Sequence, residues 1–284
     1  MTTIEDIILD HDRRGVSQLR PHLPADFADQ AAKVVLDHPG TAVIVVGFYI
    51  LSAKATETDG PPGAIVIGNA LQKLGYKVAY VTDRYTAPVM RGCAGKGAEV
   101  VDFPITGVAE SKAFTKQLLD RLKPSVLIAI ERCGLTDEGV YRNMRGLEIT
   151  DFNAKTDYLF EAGIPSVGIG DGGNEIGMGN LADIIPTVPT LVRKPTLTKV
   201  TKLVIASVSN WGGYGLAAAI SLRKKKNLLI SVKEEQDLLK RTVNLGAVDG
   251  MSAKPEYKAD GFTMEENTAL YQRLHDLLAA KGVK

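Results

Sequence analysis

With 284 residues the chain can build one large or two small domains, and a make-up of 45% hydrophobic and 24% charged residues is that of an ordinary soluble globular fold. A formal net charge of +1 provides no overall field for gathering nucleic acid or an anionic membrane, so neither is expected as a partner. The two cysteines, Cys93 and Cys133, lack metal-type spacing, which argues against a disulfide framework and fits a reducing, cytoplasmic setting.

The first residues, MTTIEDIILDHDRRG, are too acidic and polar for a signal peptide, and no apolar run is long enough to span a bilayer. Short β-branched runs then predict strands over 42–46, 77–81, 98–101, 126–130, 166–169 and 202–205. Amphipathic stretches between them predict helices over 61–74, 112–122, 152–162 and 211–223. The run PTVPTLVRKP at 186–195 carries Pro186, Pro189 and Pro195, which oppose a continuous helix and predict an irregular excursion. Arg223, Lys224, Lys225 and Lys226 fall at a helix end, where cations complement the dipole. Residues 246–260 are loop-like, and one long helix follows over 264–280. The alternation implies an α/β fold: a doubly wound, mostly parallel sheet with helices on both faces, Rossmann-like. The whole chain, 1–284, reads as one domain, with 245–284 as a helical closure packing on it.

In a doubly wound sheet, ligands bind outside the carboxyl ends of the strands. The unusual segments fall there: TETDGPPG at 56–63, Asp83-Arg84, Glu131-Arg132-Cys133-Gly134, Gly170 to Glu175, and SNWGGY at 209–214. A parallel sheet would gather all of them on one edge. Glu57, Asp59, Glu131, Asp171 and Glu175 would then be five carboxylates in one place. Like charges raise each other's pKa, so the group needs cations: a divalent metal, a substrate ammonium, or Arg132 and Arg84. Mg²⁺ or Mn²⁺ suits oxygen ligands, and there is no His/Cys cluster of the kind that holds zinc.

Each segment also has a plainer reading. Gly168-x-Gly170-x-x-Gly173 fits the dinucleotide fingerprint, but NEIGMGN is too glycine-rich to open a long helix, and no acidic residue ends a strand about twenty residues on, so no nucleotide cofactor is expected. Asp59 or Gly60 can simply cap a helix with Pro61 at its first position, although that leaves Glu57 unexplained. In an extended chain Glu131 and Arg132 point to opposite sides, so one can face the cleft while the other braces a neighbour. Cys133 has no His in a comparable loop and reads as a small buried hydrophobe. Trp211 can line a ligand or pack in the core. Gly212, Gly213 and Gly215 permit close approach of a ligand or of another helix.

Taken together and in order, ETDGPPGA, a strand ending in AIER, GIGDGGNEIGMG and SNWGGY resemble the carboxy-terminal domain of the D-glutamate cyclase family, also found in bacteria as a domain of unknown function. The resemblance runs from about residue 41 to 219 and extends to Arg14-Gly15 and Asp249-Gly250. One departure is Val46-Gly47-Phe48, where family members often have a threonine before the glycine. The resemblance implies a lyase that dehydrates D-glutamate to 5-oxo-D-proline, its α-amine attacking its own γ-carboxyl group. The small-molecule substrate would be D-glutamate or a similar acidic amino acid. Glu57, Glu131, Asp171 and Glu175 are the implied catalytic residues, with Asp171 and Glu175 also holding a metal, Mg or Mn. Asp59, Gly60, Gly63, Arg132, Gly172, Gly173, Asn174, Asn210 and Trp211 are the implied substrate-binding residues. Arg132 and the amides around Asp59 to Gly63 would hold carboxylate, and Asn210 would orient. A homodimer is the base-rate expectation. The alternatives are a non-catalytic binding module for an acidic amino acid or nucleotide, and a Mg-dependent phosphoryl or nucleotide enzyme.

Overall fold

A computed structural model describes residues 2–95 and 97–284. Six strands form one parallel sheet: β1 (Thr41–Val46), β2 (Lys77–Thr82), β3 (Glu99–Asp102), β4 (Val126–Ile130), β5 (Ser166–Gly170) and β6 (Lys202–Ile205). Their spatial order is β3-β2-β1-β4-β5-β6. β1 and β4 are nearly unbroken apolar runs, because each is covered on both faces. Ala42, Ile44 and Val46 of β1 face one apolar layer, and Val43 and Val45 face the other. The fold is therefore the doubly wound α/β arrangement expected from the alternation of elements.

The first layer holds α1 (Ile4–Ile8), α2 (Phe27–Asp37), α3 (Pro61–Lys73), α4 (Ala87–Cys93), α7 (Ser209–Lys224), α8 (Val232–Asn244) and α9 (Met264–Ala280). The second is thinner, with α5 (Val108–Leu122) and α6 (Asp157–Phe160). α9 keeps its expected bounds and closes over α7. Its start is fixed by a capping box between Thr263 and Glu266, and Tyr271 packs edge-on to Tyr214 at 4.7 Å between ring centroids. Four helices were not expected: α1, α2, α4 and α8. Two of these, α1 and α8, carry their own capping boxes, Thr3 with Asp6 and Ser231 with Glu234. No helix among the described residues is long and apolar enough to cross a membrane.

The helix expected over 152–162 is absent. That stretch is a short 3₁₀ turn, Thr150–Phe152, followed by the single turn of α6. Tertiary contacts override its local periodicity. The Ala154 carbonyl accepts from Arg132 at 2.8 Å, and the Asp157 carboxylate accepts from the Leu135 amide at 2.9 Å and the Tyr141 hydroxyl at 2.5 Å. The 186–195 segment is irregular as expected, with one 3₁₀ turn at Ile185–Thr187.

α3 and α7 cross where glycine meets glycine. A Cβ on Gly213 would lie 3.0 Å from the Gly63 Cα, and one on Gly63 would lie 2.6 Å from the Ile130 Cδ1. Gly213 thus serves the approach of α3 and Gly215 that of α1, while Gly212 lies against the sheet. Gly213→Ala would gain about 1 kcal/mol of helix propensity. Overpacking against backbone costs typically 1–3 kcal/mol, so a net fall in melting temperature of a few degrees is expected. An unchanged melt would mean that the two helices separate freely.

Candidate active site

The strand order reverses between β1 and β4, and the crevice at such a switch point, at the carboxyl ends of the strands, is where ligands bind in this architecture. Here the Gly47 amide, just past β1, donates to the Glu131 carbonyl, just past β4, at 3.2 Å. Glu131 takes a left-handed φ of 42°. Its carboxylate accepts from the Ser209 hydroxyl at 2.6 Å and its side chain reaches the cavity, while Arg132 points to the other side of the chain.

The starts of α3 and α7 cap each other. Asp59, beside α3, accepts from the Ser209 and Asn210 amides of α7 at 2.8 and 2.6 Å. Asn210, on α7, accepts from the Gly60 and Gly63 amides of α3 at 3.0 and 2.8 Å, and donates to the Thr58 carbonyl at 3.1 Å. Gly60 has φ +96°, and a Cβ there would meet that of Glu131 at 2.8 Å, so the turn needs glycine. The amides of Gly60 and Gly63, expected to hold a substrate carboxylate, are already taken by Asn210.

Glu57, Asp59, Glu131, Asp171, Glu175 and Asp260 are all buried at this edge. The guanidinium among them is that of Arg14. It pairs with Asp171 and, at 2.7 Å, with Asp260. Burial pushes Glu57, Glu131, Asp171 and Asp260 well above the usual carboxylate range, and neighbouring carboxylates push further; Arg14 pulls Asp171 and Asp260 partly back. Burial takes Asp59 up to about 7 despite its backbone donors. The surrounding acids hold Arg14 well above its ordinary value against the effect of burial. Glu57 Oε1, Asp171 Oδ2 and Asp260 Oδ2 are buried without a donor. Glu57 adjoins Glu131, and Asp171 adjoins Asp260, so one proton held by each pair supplies the missing hydrogen bond.

Above these acids opens a cavity of about 540 Å³. Arg14, Glu57, Glu131, Asn174 and Asp260 form its polar floor, and Phe48, Ile50, Leu51 and Met144 an apolar wall. Leu147 and Met251 stand exposed at the rim, with Arg13, Asn143 and Arg145 also lining it. Asp171 and Glu175 sit behind the floor.

Glu175 is bound back to its own loop, accepting from the Gly172 and Gly173 amides at 3.0 and 2.8 Å. Those two glycines therefore serve the loop, and a Cβ on Gly172 would collide with the Met144 sulfur. A Cβ on Gly168 would meet the Gly177 Cα at 2.8 Å, because the segment folds back over the end of β5 as a platform; no helix follows, only the 3₁₀ turn Met178–Leu181.

Other expected positions lie elsewhere. Arg132 is fully buried, donating to Asp83 at 2.5 Å and to the carbonyls of Gly47 and Ala154, so it braces the loops and does not reach a substrate carboxylate. Arg84 lies exposed over the Tyr85 ring. Trp211 is core: its Nε1 donates to Asn267 at 2.7 Å and its ring packs on Phe262. Cys133 is buried, and burial pushes its thiol up. Arg14, Asp260 and the 143–145 loop were not among the expected site residues, although Arg14-Gly15 and Asp249-Gly250 marked two of these regions. Gly250 is there for Glu57, whose Oε2 a Cβ would strike; Asp249 secures the loop, accepting from the Ser252 and Gly261 amides.

The donor set fits a hard cation. Carboxylate oxygens of Asp59, Asp171 and Asp260 lie within 4.8 Å of one another, as do those of Glu131, Asp171 and Glu175. All are oxygen donors, which suits Mg²⁺ or Mn²⁺.

Human D-glutamate cyclase, mitochondrial (Homo sapiens), is 32% identical over 234 residues, covering 75% of this chain and 37% of that protein. The chain thus matches little more than a third of that relative's length. A family model described as D-glutamate cyclase-like, C-terminal, matches residues 4–275, and the chain belongs to that family.

Proposed function

We propose that the chain is a lyase that cyclises D-glutamate to 5-oxo-D-proline and water at this cavity. The observation that carries the reading is the charge imbalance at the floor: six buried carboxylates around one half-buried guanidinium, a surplus beyond what one shared proton in each acid pair offsets. Such a floor demands a further cation, and an α-ammonium supplies one. The relative's printed activity and the family point the same way.

Glu57 and Glu131 are placed to receive the ammonium, since both line the cavity. Their raised pKa makes either a stronger base near neutral pH than an ordinary carboxylate, and the protonated partner of the pair can return a proton to the departing hydroxide. Arg145 and Arg13 at the rim offer guanidinium donors to the substrate's carboxylates. Enclosure holds the chain folded for ring closure. Asp171, with either Asp59 and Asp260 or Glu131 and Glu175, would hold a divalent cation, which as a Lewis acid would offset the charge of the γ-carboxylate. The buried free cysteines make the cytoplasm the proposed compartment.

The test is an NMR time course with D- and L-glutamate, each with and without Mg²⁺ or Mn²⁺. 5-Oxoproline is expected from the D form. Asp171→Asn removes Arg14's buried partner and one carboxylate of both acidic triplets, and should lower turnover at least a hundredfold. Intact turnover in that variant would remove Asp171 from the mechanism; no product from wild-type protein would refute the reading.

A further inference from the structure

The polar floor accounts for an amino acid, but the apolar wall does not. D-Glutamate has about ten non-hydrogen atoms. At roughly 30 Å³ for each water-sized group, these fill only about half of the space. The cavity measures about 540 Å³. D-Glutamate offers only two methylenes to a wall of Phe48, Ile50, Leu51 and Met144, with the exposed Leu147 and Met251 beyond them. Exposed apolar side chains grouped at the mouth of a polar site mark a ligand's apolar part.

Charge points in the same direction. The free amino acid brings two carboxylates to a floor already crowded with acids, giving it a net charge of −1. Its γ-amide is a net-neutral zwitterion: it keeps the ammonium that the floor demands and loses the carboxylate that the floor repels. An amide carbonyl is also an electrophile without prior neutralisation.

We propose that the chain also cyclises γ-D-glutamyl amides, the apolar wall holding the alkyl or aryl group of the leaving amine. This rests on the cyclisation proposed above and extends its substrate class. The α-nitrogen attacks the γ-carbonyl carbon, so that a C–N bond to the ring forms and the C–N bond to the amine breaks. Two protons leave the α-nitrogen and both end on the leaving amine, which departs as an ammonium ion beside 5-oxo-D-proline. Glu57 and Glu131 relay them. No oxidant, reductant or water is consumed.

The experiment incubates the purified full chain with γ-D-glutamyl methylamide, γ-D-glutamyl n-butylamide and D-glutamate, following 5-oxoproline by NMR. The two amines are of nearly equal basicity, so their ratio reports on the wall and not on intrinsic reactivity. Three further methylenes, partly buried, should raise kcat/KM for the butylamide about tenfold over the methylamide. The Leu51→Ser, Met144→Ser variant should bring that ratio close to one. Both positions are only half-buried, and a thermal melt checks its fold. Turnover of D-glutamate without either amide overturns the inference and leaves the cyclase reading standing. Equal rates for the two amides overturn the role of the wall. Amide turnover without D-glutamate turnover supports the inference and refutes departure of hydroxide. No product from any of the three overturns both.

Discussion

Raising the pH from about 4 to about 8 should lower the melting temperature of the ligand-free protein by roughly 8–16 °C, and Mn²⁺ or D-glutamate should restore most of the loss at the alkaline end. The carboxyl of Asp59 has an ordinary value of 3.8 and is pushed up to about 7 in the fold. Between those values the folded state keeps a proton that the unfolded state has shed. The associated stability is full below pH 3.8 and is lost as the pH rises through about 7. Every tenfold gain in proton affinity on folding is worth about 1.4 kcal/mol, so this carboxyl alone accounts for about 4 kcal/mol. Glu57, Glu131, Asp171 and Asp260 are displaced in the same direction and add to the fall. Arg14 does not oppose it, because its ordinary and its raised folded values both lie above this range.

A second buried acid gives an internal control. Glu235, in α8 and not among the residues lining the cavity, is pushed up to about 7 by burial, although Tyr214 donates to it at 3.0 Å. Its own share of the fall has the same sign. It belongs to neither acidic triplet, so added cation should not restore it. Glu235→Gln should flatten part of the curve and leave the rescue by Mn²⁺ intact. A melting temperature that is flat or rising between pH 5 and 8 would mean that the floor is not electrostatically crowded.

The sheet was legible because strands buried on both faces are continuous β-branched runs, and the same runs put the chemistry at their carboxyl ends. The strand-end rule gathered Glu57, Asp59, Glu131, Asp171 and Glu175 at one edge, and all five lie buried there. Arg14 and Asp260 escaped it, since each comes from an irregular segment near one end of the chain and is brought to the edge only by tertiary packing. Alternation foretold that Glu131 and Arg132 would part, but the sequence assigned a carboxylate-binding role to the arginine that turned away. Its buried pairing with Asp83 is a different physical commitment: removing either partner would strand a charge in the interior. Trp211 and the α7 glycines look alike in a ligand platform and in a helix–helix contact, and only the position of α3 and α9 separates the two. The 152–162 stretch has a helical pattern, but its carbonyl and carboxylate groups are claimed by Arg132, Leu135 and Tyr141.

Local capping rules also misassign the roles of Asp59 and Asn210, and this exchange sets the largest stability effect expected of a single substitution. Each residue begins one helix and caps the other. Asp59→Ala would leave the buried amides of Ser209 and Asn210 without their acceptor, the Gly60 amide keeping Asn210. Asn210→Ala would strip the Gly63 amide and the Thr58 carbonyl, the Gly60 amide keeping Asp59. At about 1–3 kcal/mol for each stranded group, partly relieved by water or relaxation, either change should cost about 3–5 kcal/mol. For a chain of this size that lowers the melting temperature by roughly 6–20 °C. The two should not add. The Gly60 amide keeps one acceptor in either single variant and loses both only in the double, so the double variant should exceed the sum by about 1 kcal/mol or more, read from a double-mutant cycle in urea. The coupling bears on function, because the same contact fixes Ser209 against Glu131 and the α3 turn beneath Glu57. Strict additivity would mean that the helices are held apart from one another, and the position of the two candidate bases would need another support.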